Sequence, residues 1–387
     1  MQTVINQFRA NIRQYGMLIA LLLIMLLFQI LTDGILLKPL NVTNLILQNS
    51  YILVLAIGMV LVIISGHIDL SVGSVAAFVG AVAATMMVEL NVPLAAAVIL
   101  SLLLGALIGA WQGFWVAYVR VPSFIVTLAG MLMFRGLTML VLEGQSVGPF
   151  PGAFRALSSG FIPDIADFGG VHLLSILIGV LVSALLVLIG WYKRLTDMRY
   201  NFEVEPLGYF IAKMAVMAAA LILFVYVLAS YEGIPNILVV LLVLIVLYTF
   251  VTNRTVIGRH IYAMGGNEKA AMLSGVKTKR VTFWVFVNMG TLAALSGLVF
   301  AARLNAATPK AGVNFELDAI AACFIGGASM SGGVGTVIGA VIGGLVMGVM
   351  NNGMSILGVG VDWQQAIKGL VLLLAVAFDI YNRSKSS

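Results

Sequence analysis

Side chains able to do chemistry are scarce in this sequence, and the block that concentrates them is Gly66-His67-Ile68-Asp69-Leu70-Ser71-Val72-Gly73-Ser74. It sits between two apolar runs. A carboxylate at the centre of a bilayer costs about 2.5–3.5 kcal/mol even on insertion scales, so Asp69 has to be paired or capping. Asp69 and Ser71 can both cap a helix starting at Val72 by accepting from its free N–H groups. The functional alternative is a gate or pathway constriction at the inner end of two spans, with His67 beside it. His67 has no second His, Cys or carboxylate at ligand spacing except Asp69, so no metal site is expected. The single cysteine, Cys323, cannot form an intramolecular disulfide and reads as core. No glycine is followed by lysine, which excludes a phosphate loop of the G-x-x-x-x-G-K-[ST] kind, and neither H-E-x-x-H nor G-x-S-x-G occurs. No catalytic residue, bound nucleotide or other cofactor is therefore expected on this chain.

Three further patterns carry information. In Gly258–Val276, Asn267 can cap a short amphipathic helix running through Ala270 to Leu273, with Gly275 as its stop. Such a helix either lies on the headgroups or fits a groove on another protein. Gly105, Gly109 and Gly113 recur four apart, as do Gly335, Gly339 and Gly343, with Gly344 and Gly348 on an adjoining face. That spacing brings helix backbones together in lipid, within the bundle or at a dimer contact. Finally, Glu316 and Asp318 open one apolar run and Asn351-Asn352-Gly353 end another. The acids suit a helix start, and the amides can cap helix ends or contact a polar neutral ligand.

The elements that must position these residues follow from composition. Of the 387 residues, 61% are hydrophobic and 9% charged, against about 45–50% and about 25% in soluble domains. A soluble globular protein is excluded. A spanning helix needs roughly 20 apolar residues, and apolar runs such as Leu18–Leu27 are apolar on all sides, unlike the alternating strands of a barrel. Twelve segments are expected near 16–31, 45–65, 72–88, 93–119, 123–142, 171–192, 210–231, 235–252, 283–302, 316–329, 334–351 and 364–381. The tenth is short for a crossing and suits a half-helix or re-entrant segment. Inside the apolar zone the clear charges are Asp69, Arg135 and His67, few for an ion-coupled carrier.

With the amino terminus inside, inward segments hold 14 of the 21 Lys and Arg: Arg9, Arg13, Arg120, Lys193, Arg194, Arg199, Arg254, Arg259, Lys269, Lys277, Lys279, Arg280, Arg383 and Lys385. Outward segments hold Lys38, Arg155, Arg303 and Lys310. Both termini are thereby predicted to be cytoplasmic. The net charge of +6 is topological: there is no basic stripe and no nucleic-acid reader motif. Glu143–Gly170 reads as a structured outward loop, and Asn253–Thr282 as an inward segment.

Together the blocks resemble the permease subunits of bacterial ABC sugar importers of the ribose/galactose/xylose type. GHIDLSVGS looks like that family's G-I-D-L-S-V-G-S, with His67 where glycine is usual. GRHIYAMGGNEKAAMLSGV resembles its coupling segment, and ELDAIAACFIGGASMSGGVGTVIGA followed by NNGMSILGV its carboxyl-terminal signature. The similarity covers nearly the whole chain. Extra length near 165–232 is similar to the longer xylose-type permeases and supplies an inserted two-span hairpin. The resemblance implies one permease domain over 1–387: an all-α polytopic membrane protein of about ten core helices plus the inserted pair, with 253–282 as a cytoplasmic coupling segment. It implies a bacterial inner-membrane importer of a neutral monosaccharide. The implied partners are a second copy, a cytoplasmic ATPase with two nucleotide-binding domains that uses the ATP and Mg, and a periplasmic sugar-binding protein. Asp69, Ser71, His67, Asn351 and Asn352 become pathway or gate candidates. Gly265, Gly266, Asn267, Glu268, Ala270, Ala271, Leu273 and Gly275 become coupling candidates. Rival cargoes are a nucleoside, a signalling furanose or a branched-chain amino acid; the rival class is an ion-coupled secondary transporter.

Overall fold

The structure, a computed structural model, describes residues 12–165, 167–168, 170–202 and 204–384. Arg9 and Lys385, counted above among the inward cations, lie outside the described residues. Among the described residues the chain is all-α, with fifteen α-helices and one two-stranded antiparallel ladder, Asp167–Phe168 with Val171–His172.

Each of the twelve expected segments contains a helix. They are α1 (Ile12–Leu31), α2 (Pro39–Ile64), α3 (Val72–Ala84), α4 (Leu94–Phe114), α5 (Ser123–Val141), α7 (Leu173–Arg199), α8 (Leu207–Ala229), α9 (Asn236–Arg254), α12 (Thr278–Leu304), α13 (Phe315–Ile325), α14 (Val337–Ile356) and α15 (Val361–Ser384). Helices α3 and α4 continue as single π-helical turns, Thr85–Glu89 and Trp115–Val119. Three shorter helices lie between spans: α6 (Gly152–Ser159), α10 (Val256–Gly266) and α11 (Glu268–Leu273). Nine of the described helices are long and apolar enough to cross a membrane. Helix α13, at 11 residues, rises only about 16 Å against a hydrocarbon core of about 30 Å. That length suits the half-helix expectation. The described residues of the loop 143–170 carry α6, as a structured loop would.

Helix α12 is the spine, packed against α4, α2 and α3. The glycine stripe of α4 makes this possible. A Cβ on Gly105 or Gly109 would overlap the carbonyl oxygens of Gly290 and Phe286, and one on Gly113 would lie 3.0 Å from that of Phe283. On α14, Gly339 and Gly343 meet the backbone of Gly326 and Ala322 in the same way, while Gly344 and Gly348 face Leu53 and Asn49 of α2. Both stripes therefore close contacts within one chain. Gly335 departs from the expectation: it precedes α14, at φ +152°, and serves a loop rather than a helix face. Helices α7 and α8 pack mainly on each other, with Gly179 against Val225 and Gly190 against Met214, and α8 touches α2.

Candidate functional site

The Gly66–Ser74 block begins where α2 ends. Gly66 takes φ +82°, donating its N–H to Ile63 O (2.9 Å) while His67 N–H reaches Val62 O (3.0 Å). This is a Schellman closure, which glycine permits without strain. The chain then folds back into the bundle. Asp69 is 2% exposed, and its Oδ1 accepts from the backbone N–H of Ser71 (2.8 Å) and from the Ser71 hydroxyl (2.6 Å). Gln112 Nε2 of α4 donates to Ser71 Oγ (2.7 Å). The expected helix cap is not made: the Ser71 side chain makes no cap hydrogen bond, and Asp69 holds the N–H of Ser71 rather than a first-turn amide of α3. The hydroxyl is taken up by Asp69 and Gln112 instead. Gln112 was missed from the sequence, although a lone amide in a 21-residue apolar helix is a signal in itself.

The starts of α3 and α13 meet here. A Cβ on Gly73 would overlap Gly312 O and lie 2.5 Å from Glu316 Oε2. Ser74 Oγ and Glu316 Oε2 are buried and have no hydrogen-bond partner among the described residues. Arg135 of α5 lies within electrostatic range of Glu316. Asp318 pairs with Lys368 of α15 at 2.9 Å. Glu316 and Asp318 do open a helix, as expected, but they are buried. The short inventory of intramembrane charges made from sequence is therefore corrected by Glu316, Asp318 and Lys368. Against this polar centre stand the rings of Tyr51, Phe300 and Phe315, with centroids 4.2–5.2 Å apart.

The second motif has the local structure that its residues predict. Asn267 caps α11 by accepting from Ala270 N–H (3.0 Å). Gly275, at φ +89°, ends it, with Gly275 N–H on Met272 O and Val276 N–H on Ala271 O, both 3.0 Å. Its surface differs in one respect. Ala271 is buried against the chain, so the exposed apolar side is Ala270, Met272 and Leu273, the last 85% exposed. Glu268 borders a cavity of about 820 Å³ that also takes in His67, the loop after α4 with Arg120, and Lys269, Lys277 and Arg280. The His67 ring stands 5.9 Å from that of Phe286.

A junction of backbones ties the two motifs together. A Cβ on Gly265 would overlap Ile64 O, the last residue of α2, and would lie 2.6 Å from Gly333 N. Gly333 N–H donates to Ile64 O (2.8 Å), and the Tyr262 hydroxyl to Gly335 O (2.7 Å). One on Gly333 would come within 2.9 Å of Gly266 Cα. The end of α10, the end of α2 and the loop 326–336 thus touch without intervening side chains. Gly265, three residues before the start of α11, thus touches the last residue of α2, and Asp69 lies five residues beyond Ile64.

Asn351 and Asn352 stand on α14. Helix α14 continues through them to Ile356, so they do not end a run. Asn352 Oδ1 accepts from Asn41 Nδ2 (2.9 Å) and braces α14 to the start of α2; Asn351 Oδ1 is buried and unpartnered among the described residues.

A multi-pass helical bundle with a buried polar centre, joined by backbone to an exposed helix between spans, defines a membrane permease. The chain belongs to the family described as branched-chain amino acid transport system / permease component, whose model matches residues 41–376. It is 44% identical to the xylose transport system permease protein XylH of Haemophilus influenzae over 97% of this chain and 98% of the relative. It is 41% identical to XylH of Escherichia coli (97% and 94%) and 34% identical to the ribose import permease protein RbsC of Bacillus subtilis (98% and 96%). These relatives are permeases for monosaccharides, as the motif resemblance implied. No solved structure matches the chain.

Proposed function

We propose that the chain is the membrane-spanning subunit of an ATP-driven importer that carries a neutral monosaccharide inward across the bacterial inner membrane. Xylose is the first candidate cargo, because the relatives at 44% and 41% identity are xylose permeases. Both termini and the α10–α11 segment face the cytoplasm, where α11 docks on an ATPase with two nucleotide-binding domains. That partner uses the ATP and Mg; this chain binds neither. Two copies of the chain enclose the route, and a periplasmic binding protein delivers the sugar. Helices α7 and α8 are the inserted pair. The carrying observation is the glycine junction, which gives a docked motor a rigid hold on Ile64 and, through it, on Asp69, Ser71 and Gln112.

Buried Glu316 and Asp318, with half-buried Arg135 and Lys368 beside them, support a second reading, ion-coupled transport, since intramembrane charges line proton and ion routes. One experiment separates them. Vesicles holding the chain, its ATPase and the binding protein should accumulate labelled xylose only with ATP inside the ATPase compartment. Uptake by the chain alone under an imposed proton or sodium gradient would select the second reading. A different cargo leaves the ATP requirement in place and changes only the label that accumulates.

A further inference from the structure

A second cleft lies apart from the polar centre, between α9, α10 and α12, and encloses about 580 Å³. Its walls are apolar, with Leu247 and Val251 on one side and Trp284 and Val285 on the other. Leu247, Ile257 and Trp284 are exposed at its edge, so its rim is apolar, as a lipid-facing opening would be. Along α12 it runs from Lys277 to Asn288, about 16 Å at 1.5 Å per residue, which is the depth of one leaflet of a hydrocarbon core about 30 Å thick. Tyr248, whose hydroxyl donates to Asn288, closes the deep end. The mouth carries Lys277, Arg280 and His260, and no carboxylate lines the cleft. Neither Lys277 nor Arg280 forms an ion pair among the described residues.

We propose that this cleft is a binding site for one acidic phospholipid, with an acyl chain between α9 and α12 and the headgroup phosphate on Lys277 and Arg280. Three observations select that occupant. The apolar length matches a leaflet, exposed apolar side chains rim the opening, and two cations that form no ion pair among the described residues sit at its mouth. Basic pockets between helices at a membrane surface recognise anionic headgroups in this manner. Because α10 forms one wall and leads directly into α11, the bound lipid braces the root of the segment that carries the junction with Ile64.

The test uses the full chain purified in detergent and native mass spectrometry with phosphatidylglycerol and phosphatidylcholine of identical acyl chains. One phosphatidylglycerol per chain should be retained, with a preference on the order of tenfold over phosphatidylcholine. Replacing both cations, Lys277→Gln with Arg280→Gln, should bring the two lipids to parity. Val251→Trp, which fills the cleft and leaves the cations in place, should abolish retention of both. Melting temperatures of the variants in lipid-free detergent establish that they are folded. Equal retention of the two lipids by the unaltered chain overturns the proposal. So does undiminished retention by Val251→Trp, which would make the cations a surface patch, or displacement by inorganic phosphate alone, which would make it a plain anion site. Failure to retain either lipid would assign the cleft to a protein partner and overturn it equally.

Discussion

Helices α2 and α8 have similar mean hydropathy, yet 89% of the most apolar window of α2 is buried inside the bundle and only 11% of that of α8. Apolarity therefore does not decide which helix lies inside. Lipid tails are as apolar as leucine, so a side chain gains little by exchanging lipid for protein. What differs is how closely neighbours approach. Helix α2 receives Gly344 and Gly348 of α14 against Leu53 and Asn49, while its own Gly58 admits Met289 and Leu292 of α12. Along α8 the only glycine, Gly208, has nothing within 4 Å of a would-be Cβ. Where glycines let several neighbours close on one helix, as α12 and α14 do on α2, dispersion contacts accumulate and it becomes core. On α8 the close glycines, Gly179 and Gly190, come from α7, and the two helices stay a peripheral pair.

The sharpest way to break this contrast is one methyl group. Gly265→Ala places a carbon into the Ile64 carbonyl, a backbone atom that cannot rotate away. Overpacking of this kind costs typically 1–3 kcal/mol or more, and here it falls on the junction itself. We expect sugar uptake to be lost. Gly208→Ala adds the same methyl in open space and should leave uptake and melting temperature unchanged. If uptake survives Gly265→Ala, the close contact does not carry motion.

Next in size is Asp69. An Asn at this position keeps an acceptor for the Ser71 N–H and hydroxyl but removes the charge, whereas Ala removes both. Asp69→Asn should reach the membrane at normal levels with uptake reduced about tenfold or more, roughly 1.4 kcal/mol of coupling. Asp69→Ala should also lower the membrane level, since a buried hydroxyl and N–H lose their acceptor at about 1–3 kcal/mol. Full uptake by Asp69→Asn would remove the charge from the route and leave Asp69 a purely structural turn.

The asymmetry between local and distant pairing also explains what could be read from sequence. Asn267 and Gly275 act on groups within a few residues, so cap and stop were legible before any fold. The twelve segments were legible because a spanning helix must be apolar over its whole length. Gln112 on Ser71 joins positions 41 apart, and Asn41 on Asn352 positions 311 apart; spacing along the chain carries no trace of either. Gly335 lies four from Gly339, a stripe spacing, and only its φ reveals a loop. Ala271 and Leu273 look alike in sequence, but the side of α11 that meets α12 is a tertiary choice. Glu316 and Asp318 have the spacing of helix-start acids, and nothing local shows that the helix starts inside the bundle.

A smaller effect is expected in α11 itself, which has six residues and cannot be stable alone. Asn267→Ala removes the bond to Ala270 N–H and should cost about 1 kcal/mol of local stability, seen as faster amide exchange at Ala270 and Ala271. Glu268→Ala leaves that cap intact, so ATP hydrolysis should continue while uptake falls. Coupled uptake unaffected by Glu268→Ala would place the docking contact on Met272 and Leu273 instead.

The smallest effect should lie in the peripheral pair, where the interactions are local and wet. Asp164 holds the start of α7 by accepting from the N–H groups of Leu174 (3.0 Å), Leu173 (3.1 Å) and Ile165 (2.8 Å), with His172 Nδ1 at 3.7 Å. The Leu174 N–H above all, then those of Ile165 and Leu173, and the His172 charge hold its carboxyl below the usual carboxylate range. A depressed pKa means that the folded state binds its proton less readily than the unfolded one. The cap is thus fully present above the ordinary carboxylate value and is lost as pH falls through the depressed one. Intrinsic-rate-corrected exchange at Leu173 and Leu174 should therefore rise with acidification in the unaltered chain. In Asp164→Ala it should be fast and flat across the same range. Exchange at the amides of α2 should not follow this titration, because α2 is held mainly by α12, α14 and α13. A parallel rise in α2 would mean that the pair is mechanically part of the core, and the contrast between α2 and α8 would then be one of exposure alone.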